Sequence, residues 1–64
     1  MDLVKTYIDK LIYSGQQAKD KLNQDELTPI DIQKALGDLD FVESRLLAAK
    51  ILLREELKEM KKSY

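Results

Sequence analysis

The single proline of the chain divides it into two helical segments. Pro29 follows Thr28 in the stretch "DELTPIDI" (25–32), and the other 63 of the 64 residues include no second proline. Thr at an N-cap followed by Pro at the first helical position is a strong start signal, because the N–H that Pro lacks would be unpaired there anyway. Asp31 adds negative charge to the first turn, where the helix dipole favours it. We therefore expect a helix to begin near Pro29.

The segment before this break carries a helical stripe of apolar and small residues. Its members follow one another at intervals of four and three residues: Val4, Ile8, Leu11, Gly15, Ala18 and Leu22. This spacing predicts a first helix over about residues 2–23. Gly15 has two interpretations, a weak point in the helix or a position where another helix crosses closely.

The segment after the break keeps one helical phase almost to its end. The stripe consists of Ile32, Ala35, Leu39, Val42, Leu46, Ala49, Leu53, Leu57 and Met60. Its phase continues through Gly37, which favours one long helix over about residues 29–62 after a turn at about 24–28. If Gly37 instead ends a helix, Asp40 and Glu43 could cap a new one, and the chain would fold as a three-helix bundle.

A short turn between two helices predicts an antiparallel helical hairpin, so we expect an all-α fold with residues 1–64 as a single domain. The helices differ in length, at about 33 Å and about 51 Å for a rise of 1.5 Å per residue. The first helix can therefore cover the second only to about Leu52. The last turns, which carry Leu53, Leu57 and Met60, should overhang.

The middle of the second helix is apolar on more than one side. In "RLLAAKILL" (45–53), every residue except Arg45 and Lys50 is apolar. A rotation of about 100° per residue places Phe41 and Leu52 in a separate row from Leu46. A helix that is apolar nearly all round is normally central in its assembly. Leaving these side chains in water would forgo on the order of 10 kcal/mol, about the whole stability of a small domain.

We therefore expect the hairpin to pair into a four-helix bundle dimer, or to bind an amphipathic helix of another protein. The residues predicted to contact this protein partner are Phe41, Leu52, Leu53, Leu57 and Met60, with Tyr64 at the edge of the surface.

The composition argues against catalysis. The chain has no His and no Cys, so its serines have no histidine to activate them and a zinc site would need carboxylates alone. Phosphate-binding glycine motifs are absent from the sequence as well. Its carboxylates are expected at the surface, with Glu55–Lys58 and Glu59–Lys62 pairs. We predict no enzymatic activity, no cofactor, no metal and no small-molecule ligand.

The charge balance argues against broad binding to polyanions, since the net charge is −1. Lys58, Lys61 and Lys62 form a small basic tip, so a dimeric nucleic-acid-binding regulator is the alternative function. No apolar run approaches the ~18 residues of a membrane span, and we expect a cytoplasmic protein.

The stretch "FVESRLLAAKIL" (41–52) after a short turn resembles, in composition and architecture, the hairpin co-chaperones that hold type III secretion needle subunits. The outline is also similar to that of small plasmid-type RNA-binding hairpin dimers, and it would suit a small phage or mobile-element protein that inhibits a host factor. These resemblances assign no functional residue. The expected function is a non-enzymatic interaction module, a small adaptor, co-chaperone or inhibitor, that acts through the apolar face of the second helix.

Overall fold

The second helix begins at the Thr28–Pro29 pair. The structure, a computed structural model, describes residues 1–62, with helix α1 at Asp2–Leu22 and helix α2 at Pro29–Lys62. The Asp31 N–H donates to Thr28 Oγ1 at 3.3 Å, and the Asp31 carboxylate accepts from the Thr28 N–H at 3.0 Å and from its hydroxyl at 2.9 Å. This reciprocal arrangement is a capping box with Asp at the position where Glu is more usual.

The two helices pack as an antiparallel hairpin joined by residues 23–28. Its overall dimensions are 56 × 15 × 12 Å, so the molecule is a long, thin rod. Helix α2 continues through Gly37, and none of the described glycines adopts a positive φ. The predicted two-helix hairpin is confirmed, and the three-helix alternative is wrong because helical hydrogen bonding persists across Gly37.

The contact between the helices is built from small side chains. Ala18, Ala35 and Ala49 are each only 3% exposed, and Val4 is 7% exposed. On α2, Ala35 and Ala49 lie seven residues on either side of the half-buried Val42. A seven-residue repeat keeps one row of a helix against its neighbour, and alanine in that row lets two helices approach closely.

The larger apolar residues of the α2 stripe lie outside this contact. Leu39, Leu46 and Leu53 remain 44%, 47% and 42% exposed. Leu39 and Leu46 share one sequence stripe with Ala35 and Ala49 but remain outside the contact, whereas Leu53 lies in the predicted overhang. Close packing through the Ala35 and Ala49 row turns that row towards α1, and the leucines four positions further along the chain fall to one side of it.

Gly15 does not mark a close helix crossing. A Cβ atom built at Gly15 would meet no heavy atom within 4 Å. The closest packing on α1 is at Ala18, one turn further along the helix. Of the two interpretations of Gly15, only the weak point in the helix fits this open space.

An ion pair links the two helices near the turn. The Lys21 ammonium lies 2.6 Å from an Asp38 carboxylate oxygen. Both side chains are partly buried, so this pair is screened less than one in open water. The sequence patterns did not predict it, because nothing in the spacing of either helix shows which charges will face each other.

Candidate interaction surface

The C-terminal part of α2 extends beyond α1. Leu52 is the last residue of α2 that is partly covered, and every residue from Leu53 to Lys62 is exposed. Leu53, Leu57 and Met60 project from this overhang with about half of each side chain in contact with water. The hairpin by itself therefore leaves a stripe of large apolar groups without a partner.

This stripe continues along the whole of α2. Nine residues at alternating intervals of four and three form what we call the outer seam: Ile32, Leu36, Leu39, Glu43, Leu46, Lys50, Leu53, Leu57 and Met60. All nine are exposed, and the seven apolar ones are large hydrophobic residues. Such spacing is that of a coiled-coil seam, so α2 has a second packing face in addition to the one that contacts α1.

The outer seam lies beside the α1 contact. At about 100° per residue, its centre is about 70° around α2 from the row that contains Ala35 and Ala49. Helix α1 adds the exposed residues Ile8 and Leu22. At about 100° per residue they lie on the far side of α1 from Thr6 and Tyr13, which line the groove on the other side of the hairpin. An apolar face that spans both helices is larger than the isolated apolar residues that are normal on a protein surface.

Phe41 lies on the opposite side of the hairpin from the outer seam. There it borders an open groove of about 490 Å³ between the helices, which is lined by Thr6, Asp9, Lys10, Tyr13, Ser14, Gln17, Asp38, Phe41 and Arg45. The Arg45 guanidinium carbon lies 5.3 Å from the centre of the Phe41 ring, a cation–π contact. The groove mixes both signs of charge with aromatic rings.

The predicted contact residues therefore fall into two groups. Leu53, Leu57 and Met60 belong to the outer seam, whereas Phe41 and the partly covered Leu52 lie on the groove side of α2. Tyr64, predicted at the edge of the surface, lies outside the described residues. A single flat partner could not contact both groups, because the centres of the two groups are about 120° apart around the helix.

Charged side chains border the overhang. A shallow depression of about 370 Å³ beside Leu57 is lined by Ile51, Arg54, Glu55, Leu57, Lys58 and Lys61. The predicted pairs are present, with Lys58 3.7 Å from Glu55 and Lys62 3.8 Å from Glu59. These pairs are solvent-exposed and contribute little to stability. They do reduce the positive charge that the lysine tip presents to a phosphate backbone.

The Asp31 carboxylate is held in the capping box at the start of α2. Hydrogen bonds from the Thr28 backbone and, secondly, from its hydroxyl hold the pKa of Asp31 below its ordinary value. No group of acidic side chains within residues 1–62 converges in a way that could hold a metal ion. Over the same residues, no helix is both long and apolar enough to cross a membrane.

Comparison with known proteins gives no relative from which a function could be transferred. The chain has no significant match to a protein-family model, to a curated protein or to a solved structure.

Ile32, Leu36, Leu39 and Leu46 are the surface residues that the sequence patterns did not identify. Ile32, Leu39 and Leu46 share one helical phase with Ala35 and Ala49, so spacing alone does not separate them. The signal that could have separated them is the size of the side chains, because Ala35, Val42 and Ala49 form a row of small residues beside a row of large ones. Close helix packing selects the row of small residues for the contact.

Proposed function

We propose that this protein is a non-enzymatic protein–protein interaction module that works by burying the apolar face of α2 against another chain. The observation that supports this proposal is that small apolar residues form the core of the hairpin while the large ones lie at its surface. The core of the hairpin consists of Val4 and three alanines, whereas the large hydrophobic side chains of the outer seam remain exposed. Contiguous apolar surface of this kind marks interaction sites in soluble proteins.

The energies favour association of the hairpin. Burial of one large apolar side chain contributes roughly 1.5–3 kcal/mol. The outer seam offers seven such side chains, and the hairpin itself buries none of that size completely. Self-association into a four-helix bundle dimer is the form of the module that needs no additional component. An adaptor, a co-chaperone or an inhibitor could each use this surface, since each acts by covering part of another protein.

The overhang provides the first test of this proposal. Leu53→Asp or Leu57→Asp should weaken association by about 2 kcal/mol or more, roughly thirtyfold in Kd, because a charge would replace an apolar anchor. Light scattering over a range of protein concentrations measures the mass directly. We expect the parent to exceed the monomer mass and both variants to approach it.

Ile30→Asp is the matched control. Ile30 is as exposed as the seam residues but lies on the far side of α2 from Leu53. It should associate like the parent, and circular dichroism should show equal helix content in all variants. A parent that stays monomeric at every concentration, or seam variants that associate like the parent, would contradict the proposal in its self-associating form.

A further inference from the structure

The pattern of residue types along the outer seam is nearly symmetric about its centre. Leu46 lies at its centre, and it is also close to the midpoint of α2, which spans Pro29–Lys62. Leu39 and Leu53 lie seven residues on either side of Leu46, and Ile32 and Met60 lie fourteen on either side. Two copies of α2 laid antiparallel with their Leu46 residues together would therefore place each of these apolar residues against an apolar residue of the other copy.

The two charges of the outer seam select this direction. Glu43 precedes Leu46 by three residues, and Lys50 follows it by four. In an antiparallel pair, Glu43 of each copy lies within a helical turn of Lys50 of the other, which gives two opposite-charge contacts. In a parallel pair the same residues would place Glu43 against Glu43 and Lys50 against Lys50. Like charges at a seam disfavour an arrangement, so the charge pattern favours the antiparallel one.

The flanking leucines of the seam show the same symmetry. Leu36 lies ten residues before Leu46, and Leu57 lies eleven after it. In the antiparallel pair, Leu36 of one copy faces Leu57 of the other. The row that contains Leu36, Glu43, Lys50 and Leu57 therefore matches apolar with apolar and acid with base.

The antiparallel arrangement also covers the overhang. Residues 53–62 of one copy would lie alongside residues 30–39 of the other, next to the turn of that second hairpin. Leu22 of α1 lies at that end and on the same side as the seam. The overhang would then contact two helices of its partner, whereas in a parallel pair the two overhangs would have only each other.

We infer that the partner of the outer seam is a second copy of this chain, packed antiparallel through α2 about a two-fold axis that passes near Leu46. This inference rests on the proposed function and adds to it the identity of the partner, the direction of the helices and the register. The dimer is isologous, with α2 of both copies at the centre and α1 of each copy on the outside.

Single cysteines can test the geometry, since the chain has none of its own. Leu46→Cys should form a covalent dimer with a short bis-maleimide crosslinker, because the two positions meet near the axis. Leu39→Cys should not crosslink to itself, since in the antiparallel register its two copies lie about 21 Å apart at 1.5 Å per residue. A mixture of Leu39→Cys and Leu53→Cys should crosslink, and neither variant should do so alone. Denaturing gel electrophoresis measures each yield.

A charge exchange tests the same register without a crosslinker. Glu43→Lys and Lys50→Glu should each weaken dimerisation about tenfold, because two facing pairs change from attraction to repulsion. The double variant Glu43→Lys, Lys50→Glu restores both pairs and should dimerise like the parent. Sedimentation equilibrium gives the three dissociation constants.

The outcomes separate this inference from the proposed function. Self-crosslinking of Leu39→Cys, Leu46→Cys and Leu53→Cys alike would show a parallel dimer and overturn the inference, while leaving association through the seam intact. A double charge variant as weak as the single ones would also overturn it. If the parent does not associate at all, the inference fails together with the self-associating form of the proposed function.

Discussion

At the scale of the residue, the start of α2 is fixed by three neighbouring side chains. Thr28 supplies the cap, Pro29 supplies a preset φ, and the Asp31 carboxylate accepts hydrogen bonds from the Thr28 N–H and hydroxyl. An acidic group in the first turn is also stabilised by the helix dipole. Because these signals are local in the chain, the sequence was sufficient to predict the start of the helix, and the structure adds the hydrogen bonds between Thr28 and Asp31.

Asp31 should make the stability of the hairpin depend on pH. Its pKa in the folded protein is lowered from the ordinary value of 3.8. The unfolded chain therefore binds this proton more readily, so the contribution of Asp31 is fully present above about pH 5 and is lost as the pH falls through the folded pKa. We expect the parent to be more stable than Asp31→Asn at pH 7 and the difference to shrink as the pH falls through the folded pKa. Urea unfolding at a series of pH values measures the difference.

The comparison between parent and variant removes the contribution of the other carboxylates, which both proteins share. Asp25→Asn, in the turn that precedes α2, is a suitable control for the loss of one negative charge. If Asp25→Asn reproduced the pH profile of Asp31→Asn, the effect would come from net charge and not from the capping box.

At the scale of the element, α2 continues through Gly37 although glycine is a poor helix former. Gly37 lies inside α2 with an ordinary helical backbone, and a Cβ atom at this position would meet nothing within 4 Å. No turn, close approach or positive φ requires glycine there. Glycine inside a helix loses more backbone freedom on folding than alanine does.

Gly37→Ala should therefore stabilise the protein. We expect the free energy of unfolding to rise by about 1 kcal/mol, with no loss of helix content. Urea unfolding followed by circular dichroism gives the change. Gly15→Ala on α1 provides a parallel measurement, because its Cβ also enters open space. A destabilised Gly37→Ala would mean that α2 must bend at this position in the folded assembly.

At the scale of the whole molecule, the hairpin is held by close packing over a narrow contact. Within residues 1–62, three alanines and one valine are buried, and the Lys21–Asp38 ion pair links the helices near the turn. Large side chains remain outside this contact. The molecule is thus a thin scaffold that presents apolar surface, and most of its large apolar side chains remain exposed in the single chain.

Ala35→Leu should separate the two helices. The larger side chain cannot fit where Ala35 is 3% exposed, and overpacking of this kind typically costs 1–3 kcal/mol. We expect a lower midpoint of thermal unfolding for Ala35→Leu. Gln33→Leu, at an exposed position on the same helix, should leave the midpoint nearly unchanged. Equal midpoints for the parent and Ala35→Leu would show that the helices can repack without loss.

The sequence by itself determined the elements of this protein. Helical spacing, the Thr28–Pro29 start signal and the unbroken phase across Gly37 favoured two helices and a turn between them, because these signals act over a few residues of the chain. The structure excluded the break at Gly37 that the sequence left open. The difference in helix length followed from the same boundaries, and with it the overhang that carries Leu53, Leu57 and Met60.

Only the tertiary structure decided which face of α2 each residue occupies. In the sequence, Ala35 and Leu39 belong to one stripe, and nothing in the periodicity states which of them meets α1. The packing decides this point, because two helices approach most closely along their smallest side chains, and Ala18, Ala35 and Ala49 provide that line. The same choice leaves Leu39 and Leu46 at the surface, since a helix that turns one row inward must turn its neighbouring rows outward.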